Sequence, residues 1–173
     1  APSRSTDGLT RTETAGDSRA GPSSPLTDRE LAEMAGHPRL TGLELRGTNV
    51  TDRGMGELAQ FPGLVRLDIS YTDVTLAGIQ QLRSVPTLTS LTLDAKQLRE
   101  LAGAPPDSLP QVQHLWLDDP RIDDAAISSL ECWSSLDSVH VVQGAISDKG
   151  LERLGCLATL TYLSIWECSG VTD

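Results

Sequence analysis

The chain is short of aromatic side chains and of positive charge. Its 173 residues include three tryptophans, two tyrosines and one phenylalanine, and its formal net charge is −10. A nucleic-acid groove needs a cationic face against phosphate, and an anionic membrane surface attracts basic segments, so the charge excess argues against both. Because aromatic residues are few, the core has to be built from aliphatic side chains.

Cysteines, long apolar runs and catalytic motifs are scarce as well. Three cysteines are too few for a disulfide scaffold, and no C-x-x-C or H-E-x-x-H pattern indicates a zinc site. The phosphate-loop, dinucleotide and nucleophile-elbow motifs are also missing. No apolar stretch approaches the roughly 18 to 20 residues of a membrane helix, and no signal peptide is visible. We therefore expect neither a cofactor nor a metal.

Residues 1–25 differ in composition from the rest of the chain. They hold one large apolar residue, and their three arginines balance three acids, so the net charge belongs to residues 26–173. Such a segment cannot bury enough surface to offset its chain entropy. We expect 1–25 to be a disordered linker or tail, with a short docking motif as the alternative, and 26–173 to form one domain.

A 24-residue period runs through residues 26–173. It is visible in the L-x-x-L-x-L-x-x-T-x-V pattern that begins at Leu40 and ends at Val50. Prolines repeat in the same register, and four apolar columns follow each of them. The prolines are Pro38, Pro62, Pro86 and Pro110, and the central apolar column is Leu43, Leu67, Leu91, Leu115, Val139 and Leu163.

Each repeat combines a strand pattern with a helix pattern. Period-two alternation as in Leu43-Glu44-Leu45 predicts a half-buried strand, and the later half of each repeat has helical spacing. Residues able to cap a helix stand where each helix should begin, and an acid usually follows them. The predicted caps are Thr27, Thr51, Thr75, Asp123, Ser147 and Thr172.

On these motifs the chain resembles the leucine-rich repeat family, and its last copy, LTYLSIWECSGVTD, resembles the cysteine-containing subclass. The resemblance implies an α/β solenoid, or horseshoe, with a parallel concave sheet of about six short strands and convex helices. It divides residues 26–173 into a partial first repeat, five full repeats and a truncated last one. The third repeat departs from the pattern, because Gly103 and two prolines stand where a helix is expected; we predict an irregular convex segment there.

Two cysteines occupy the same position in adjacent repeats. Cys132 and Cys156 lie 24 residues apart, so stacking would bring them near each other. Reduced thiols are the favoured interpretation, and a disulfide stays open because its geometry cannot be judged from sequence.

The alternation also predicts which side chains point outward from the concave sheet. Phe61 and Trp133 fall in an apolar column and are predicted to be core, whereas the other four aromatics fall on this face. Exposed aromatics next to acids are typical of a surface that a basic partner covers. The candidate partner-binding residues are Arg66, Asp68, Tyr71, Asp94, His114, Trp116, Asp118, Asp119, His140, Tyr162 and Trp166.

The same face allows two chemical alternatives. The register places Ser164 beside His140 with Asp118 diagonal to it, but nothing supplies an oxyanion hole or excludes water, so solvated binding residues are the favoured interpretation. His114 and His140 could in principle hold a metal, although diagonal neighbours on a sheet are far apart for that.

The sequence thus predicts a non-catalytic module that binds a protein or peptide on its concave face. The partner is expected to carry basic groups, and neither nucleic acid nor membrane insertion is expected. Alternatives are a self-associating structural solenoid, or a regulatory arm of a larger enzyme such as a kinase or ubiquitin-ligase adaptor, which would make other domains of the same longer chain its partners.

Overall fold

The computed structural model describes residues 26–104 and 109–172. The predicted tail 1–25 and the two prolines of the third repeat lie outside the described residues. Six strands form one parallel sheet in chain order, and each residue pairs with the one 24 positions later, as Leu67 does with Leu91. The predicted solenoid and its register are therefore confirmed. The strands are β1 (Gly42–Glu44), β2 (Arg66–Asp68), β3 (Ser90–Leu93), β4 (His114–Asp118), β5 (Ser138–Val142) and β6 (Tyr162–Trp166).

Short helices alternate with the strands and pack on one side of the sheet. In the described part of the chain, no helix is long and apolar enough to cross a membrane. We call the sheet face opposite the helices the open face; it is the concave face of the sequence interpretation. The helices are α1 (Asp28–Glu33), α2 (Asp52–Glu57), α3 (Leu76–Gln81), α4 (Ala95–Glu100), α5 (Asp124–Ile127) and α6 (Asp148–Gly155).

The helix starts follow the predicted caps. Thr51, Thr75 and Ser147 each accept a hydrogen bond from the backbone N–H two residues on, and Asp123 accepts one from the N–H of Ala126. Thr27 caps α1 in a capping box with Glu30. These side chains satisfy amides that have no partner within the helix, and this fixes where each helix begins.

One aliphatic core runs the length of the solenoid between the sheet and the helices. The inward leucines of β2 to β4 are almost fully buried, and Phe61 and Trp133 are 1% and 7% exposed, which confirms that both are core residues. The core opens at β6, where Leu163 is 38% exposed although Val139, its counterpart on β5, is fully buried. No other strand of the described chain pairs with the outer edge of β6.

A ladder of carboxylates joins consecutive repeats along the helix starts. Each acid at the first helical position accepts two hydrogen bonds from the cap residue of the next repeat, one from its backbone N–H and one from its hydroxyl. Asp124, for example, accepts from Ser147 N at 2.8 Å and from Ser147 Oγ at 2.5 Å. The same pairs of bonds occur at Asp28 with Thr51, Asp52 with Thr75, and Asp148 with Thr172.

The ladder explains the small residue at the third helical position. A Cβ added at Gly150 would lie 2.5 Å from Oδ1 of Asp124, and one added at Gly54 would lie 2.5 Å from Oδ1 of Asp28. At Gly78 the added atom would collide with Oδ1 of Asp52. Glycine is therefore favoured there because the carboxylate of the preceding repeat occupies the space.

The third repeat contains a helix, although the period does not predict one at that position; of the predicted irregular segment around Gly103, residues 105–108 lie outside the described residues. The 24-residue period would place the start of this helix at residue 100, but α4 begins at Ala95, directly after β3. Asp94 caps it in a capping box with Gln97. Leu98, which the period aligns with Val50 and Val74, lies on α4 and is fully buried. An early helix start, made possible by Asp94, places α4 ahead of the prolines.

The ladder is interrupted at the same repeat. Leu76 stands where the next acid should be, and its N–H donates instead to Oε2 of Glu100 at 2.8 Å. Arg99 then donates to Asp123 at 3.0 Å and to the carbonyl of Arg121 at 2.8 Å. Longer side chains of α4 thus replace the carboxylate–cap contacts between α3 and α5.

Candidate functional site

The strand register brings four predicted binding residues into one aromatic row on the open face. We define the row as Trp116, His140, Tyr162 and Trp166, which lie on β4, β5 and β6. Trp116 pairs with His140 across β4 and β5, and Trp166 pairs with Val142 across β5 and β6. The three larger side chains are exposed by 42%, 56% and 65% for Trp116, Tyr162 and Trp166 respectively.

Three of the four rings of the row contact one another through His140. The His140 ring stacks on Trp116 with 3.8 Å between ring centroids and 4° between their planes. Tyr162 follows at 5.3 Å and is tilted by 42°. Since the rings of two adjacent strands stack face to face, one face of Trp116 is covered within the chain. Trp166 donates from Nε1 to Oγ of Ser164 on its own strand.

Ser138 connects the two histidines beneath the row. His114 Nδ1 lies 3.1 Å from Ser138 Oγ, and the same oxygen lies 3.3 Å from His140 Nε2. Ser138 is buried, with 6% of its surface exposed. Burial lowers the pKa of His140 below its ordinary value, and electrostatic repulsion from His114 lowers it further. The neutral imidazole is therefore the form that this part of the face stabilises.

The other half of the open face is a network of paired charges around Tyr71. Arg46 donates to Asp118 at 2.8 Å across the sheet, and its guanidinium carbon lies 4.6 Å from the centroid of the Tyr71 ring. The hydroxyl of Tyr71 donates to the backbone carbonyl of Asp118 at 3.2 Å. Tyr71 adopts a left-handed backbone with φ 58°, a conformation that costs energy for a residue with a Cβ. Asp118 is thus neutralised within the chain.

Arg66 and Asp68 occupy the outward positions of β2. Arg66 is exposed, and its guanidinium lies over Gly42 on β1, where an added Cβ would be 3.4 Å from Nε. Asp68 accepts from the backbone N–H of Ser70 at 2.9 Å and from its hydroxyl at 2.6 Å. Burial raises the pKa of Asp68, and the opposing hydrogen bonds from Ser70 and attraction to Arg46 do not cancel the rise.

Two predicted binding residues are not on the accessible surface. Asp94 is 3% exposed and Asp119 is fully buried, so the expectation that they line the open face is wrong. Asp94 accepts from the N–H groups of Tyr71 at 2.8 Å and of Gln97 at 2.9 Å. Both carboxylates satisfy backbone amides at the end of β3 and β4, where strand alternation no longer predicts the direction of a side chain.

Asp119 is held as an anion by its neighbours. It accepts from Ala95 N at 3.1 Å, from Arg121 N at 2.8 Å and from Arg121 Nη2 at 2.7 Å. Burial alone would raise the pKa of Asp119, but the side-chain and backbone hydrogen bonds from Arg121 outweigh it and lower the pKa. Asp119 therefore stabilises the turn after β4 rather than attracting a ligand.

Three residues outside the predicted set shape this face. Arg46 binds Asp118 over 72 positions of chain, and Arg121 holds Asp119. The hydroxyl of Ser138 joins the two histidines, although the alternation predicts only that Ser138 faces outward. Patterns of neighbouring residues in the sequence do not predict these three contacts. The 24-residue register aligns Ser138 with His114 and could have indicated the contact between those two residues.

The two chemical alternatives find little support in the geometry. The register does place Ser164 beside His140, but Nε2 of His140 lies near Ser138, and Ser164 accepts from Trp166. Among residues 26–104 and 109–172, no group of three or more histidine, cysteine or acidic side chains could hold a metal ion. Cys156 is a free, exposed thiol and Cys168 is half-buried.

Comparison with known proteins adds two distant similarities. No protein-family model and no curated protein matches the chain. It is similar to the crystal structure of internalin C2 from Listeria monocytogenes, with 18% identity and a TM-score of 0.45, over 85% of this chain and 69% of that one. It is also similar to a second Listeria monocytogenes internalin, inlF, with 20% identity and a TM-score of 0.43, over 82% of this chain and 46% of that one.

The fold can be stated from the chain itself. Each 24-residue repeat contributes one strand to a single parallel sheet, and its leucines form one continuous core. By its repeat pattern and its architecture, the chain is an α/β solenoid of the leucine-rich repeat type.

Proposed function

We propose that the chain is a non-catalytic module that docks a protein or peptide on the open face of its sheet. Trp116, Tyr162 and Trp166 are the anchors in this proposal. The observation that carries it is the exposure of these three side chains, between 42% and 65%, on β4 and β6, with His140 of β5 between Trp116 and Tyr162. Contiguous exposed apolar surface of this kind is typical of protein interfaces.

The rings suit an interface because they are already ordered. Trp116 and His140 stack within the chain, so these two side chains lose little rotamer freedom when a partner covers them. Large, pre-ordered aromatic side chains are the usual energetic centres of interfaces, where truncation of one costs about 2 kcal/mol or more. Residues around them then exclude water and select the partner.

The sequence pattern predicts that acids on the open face attract a basic partner, but the structure favours attraction by the net charge of the chain. Asp94 and Asp119 are buried, and Asp118 is paired with Arg46, so these three acids are not free to bind a cation. The net charge of −10 remains, and it favours encounter with basic partners over the whole surface. Basic groups would thus speed association more than they define the contact.

Self-association through β6 is the second candidate, because one observation favours it. Leu163 is 38% exposed at the outer edge of the sheet, where the backbone of β6 has no paired strand within the described residues. An exposed strand edge beside apolar side chains can pair with another chain. Sedimentation velocity over a wide concentration range separates this candidate from a monomeric binder.

The test of the main proposal is a quantitative pull-down with a double variant. We expect Trp116→Ala with Trp166→Ala to weaken capture of bound partners by at least about 30-fold, which is about 2 kcal/mol. Val65→Ala, which also removes exposed apolar surface but lies outside the row, should leave capture unchanged. Equal capture by the double variant and the wild type, with both folded, would remove the proposal.

A further inference from the structure

Two imidazoles in this chain share a single hydroxyl group. Nδ1 of His114 and Nε2 of His140 lie 3.1 Å and 3.3 Å from Oγ of Ser138. Ser138 is 6% exposed, so water has little access to its hydroxyl. The arrangement differs from a surface histidine pair because both rings depend on one buried oxygen for a hydrogen bond.

The number of protons available to the three groups limits their charge. A hydroxyl has one hydrogen to donate and two lone pairs to accept with, and a neutral imidazole has one donor and one acceptor nitrogen. With both rings neutral, one ring donates to Ser138 and Ser138 donates to the other. A first proton can add to the free nitrogen of the donating ring, and every hydrogen bond is kept.

A second proton has no such place. It has to add to the nitrogen that accepts from Ser138, which turns both imidazoles into donors towards one oxygen. The Ser138 hydrogen then loses its acceptor inside a buried site, which costs about 1 to 3 kcal/mol, and two positive rings are held close together. The chain relieves both costs if one ring moves away from Ser138.

Other charged groups near His140 do not compensate for this. On β4 these are His114 and Asp118, and the carboxylate of Asp118 is engaged by Arg46. On β6 the titratable neighbour is Tyr162, which lies 5.3 Å from the His140 ring, and at the start of β5 Asp137 accepts from Thr161. Coulombic repulsion from His114 acts in the same direction as burial and lowers the pKa of His140.

We propose that His114, Ser138 and His140 form a proton-sensitive latch that holds the His140 ring on Trp116. The pair accepts one proton with the latch closed, and the second proton opens it by releasing His140 from Ser138 and from the stack. Opening exposes the face of Trp116 that His140 covers. If Trp116 anchors a partner, as in the proposed function on which this consequence rests, mild acid alters the docking face.

The experiment follows the rings directly and needs no partner. Imidazole and indole resonances of the folded chain are recorded by NMR from about pH 8 to about pH 5, above the range in which unperturbed carboxylates titrate. We expect nuclear Overhauser contacts between His140 and Trp116 at high pH and their loss as the second proton binds. Circular dichroism at each pH confirms that the chain remains folded.

His114→Gln is the matched variant. Glutamine can still donate to or accept from Ser138, but it cannot take up a proton. In this variant the His140 titration midpoint should move up by about one pH unit, the coupling at which two sites titrate as a pair. Ser138→Ala removes the shared oxygen, and the contact between His140 and Trp116 should already be weaker at pH 8.

Two results would overturn the latch. One is a His140 midpoint that is the same in the wild type and in His114→Gln. The other is a ring contact that persists in the folded chain after both histidines are protonated. Neither result bears on the proposed function, because Trp116 could anchor a partner whether or not His140 moves. Loss of partner capture in the double tryptophan variant, in turn, does not depend on the latch.

Discussion

Removal of one ladder acid should destabilise the chain by an amount that its hydrogen bonds predict. Asp124 accepts from the N–H and the hydroxyl of Ser147, at 2.8 Å and 2.5 Å. A hydrogen bond to a charged group contributes about 1.5 to 3 kcal/mol. Because Asp124 is partly accessible to solvent, we take the low end for each bond and expect Asp124→Ala to lose about 3 kcal/mol.

The measurement is urea unfolding at pH 7, followed by circular dichroism, with a matched control. Asp73 is exposed and makes no hydrogen bond or ion pair within the described residues, so Asp73→Ala removes the same charge without a contact. The control should change the free energy of unfolding by less than about 0.5 kcal/mol. Equal unfolding free energies for Asp124→Ala and Asp73→Ala would refute a stabilising ladder.

The dependence of unfolding free energy on pH below about pH 4 gives an independent check of the Asp124 contacts. The hydroxyl and the amide of Ser147 lower the pKa of Asp124. The stability that this shift supplies is complete above the unfolded value of about 3.9 and is lost as the pH falls through the lower, folded value. We therefore expect the wild type to lose stability more steeply than Asp124→Ala below about pH 4. Equal slopes would show that the carboxylate is not held as an anion.

Two glycine substitutions test the backbone reasoning by the same unfolding assay. Gly150→Ala places a Cβ 2.5 Å from Oδ1 of Asp124 and should lower the free energy of unfolding by about 1 to 3 kcal/mol. An unchanged free energy of unfolding would mean that the carboxylate moves aside freely. Gly47→Ala introduces a side chain at φ 65° with nothing within 4 Å, so we expect a cost of about 1 kcal/mol from backbone conformation alone, and a stabilised variant would contradict this.

The fold was predictable because the repeat constrains it many times over. Apolar columns 24 residues apart specify the strand register, and cap residues such as Thr51 and Ser147 specify where helices begin. Each assignment is supported by the other repeats in the same phase. A single substitution in one repeat therefore could not mislead the interpretation of the architecture.

The candidate site was predicted less well because the period assigns the same structure to equivalent positions in every repeat, although strand lengths differ between repeats. It treats position 94 as equivalent to position 118, although β3 ends at Leu93 and β4 continues to Asp118. Where the strand ends early, the side chain of Asp94 turns to cap α4 instead of facing solvent. Contacts such as Arg46 with Asp118 join residues far apart in the chain and follow from side-chain length, which no periodic pattern records.

The interruption of the ladder supports the explanation of the glycines. Glycine occupies the third helical position in α2, α3 and α6, where the preceding repeat supplies Asp28, Asp52 or Asp124. In α5 that position is Ala126, and the preceding repeat has Glu100 instead, whose carboxylate accepts from Leu76. A methyl group is thus tolerated at the one place among these four helices where no ladder carboxylate needs the space.

The ladder and the aromatic row are built from different elements of the repeats. The ladder and its glycines lie at the helix starts, whereas Trp116 and Trp166 are exposed side chains of β4 and β6. The residues that set the stacking of repeats are therefore different from those proposed to contact a partner. We expect Trp116→Ala with Trp166→Ala to keep the register of every strand, so a loss of capture in that variant reports on the open face and not on the fold.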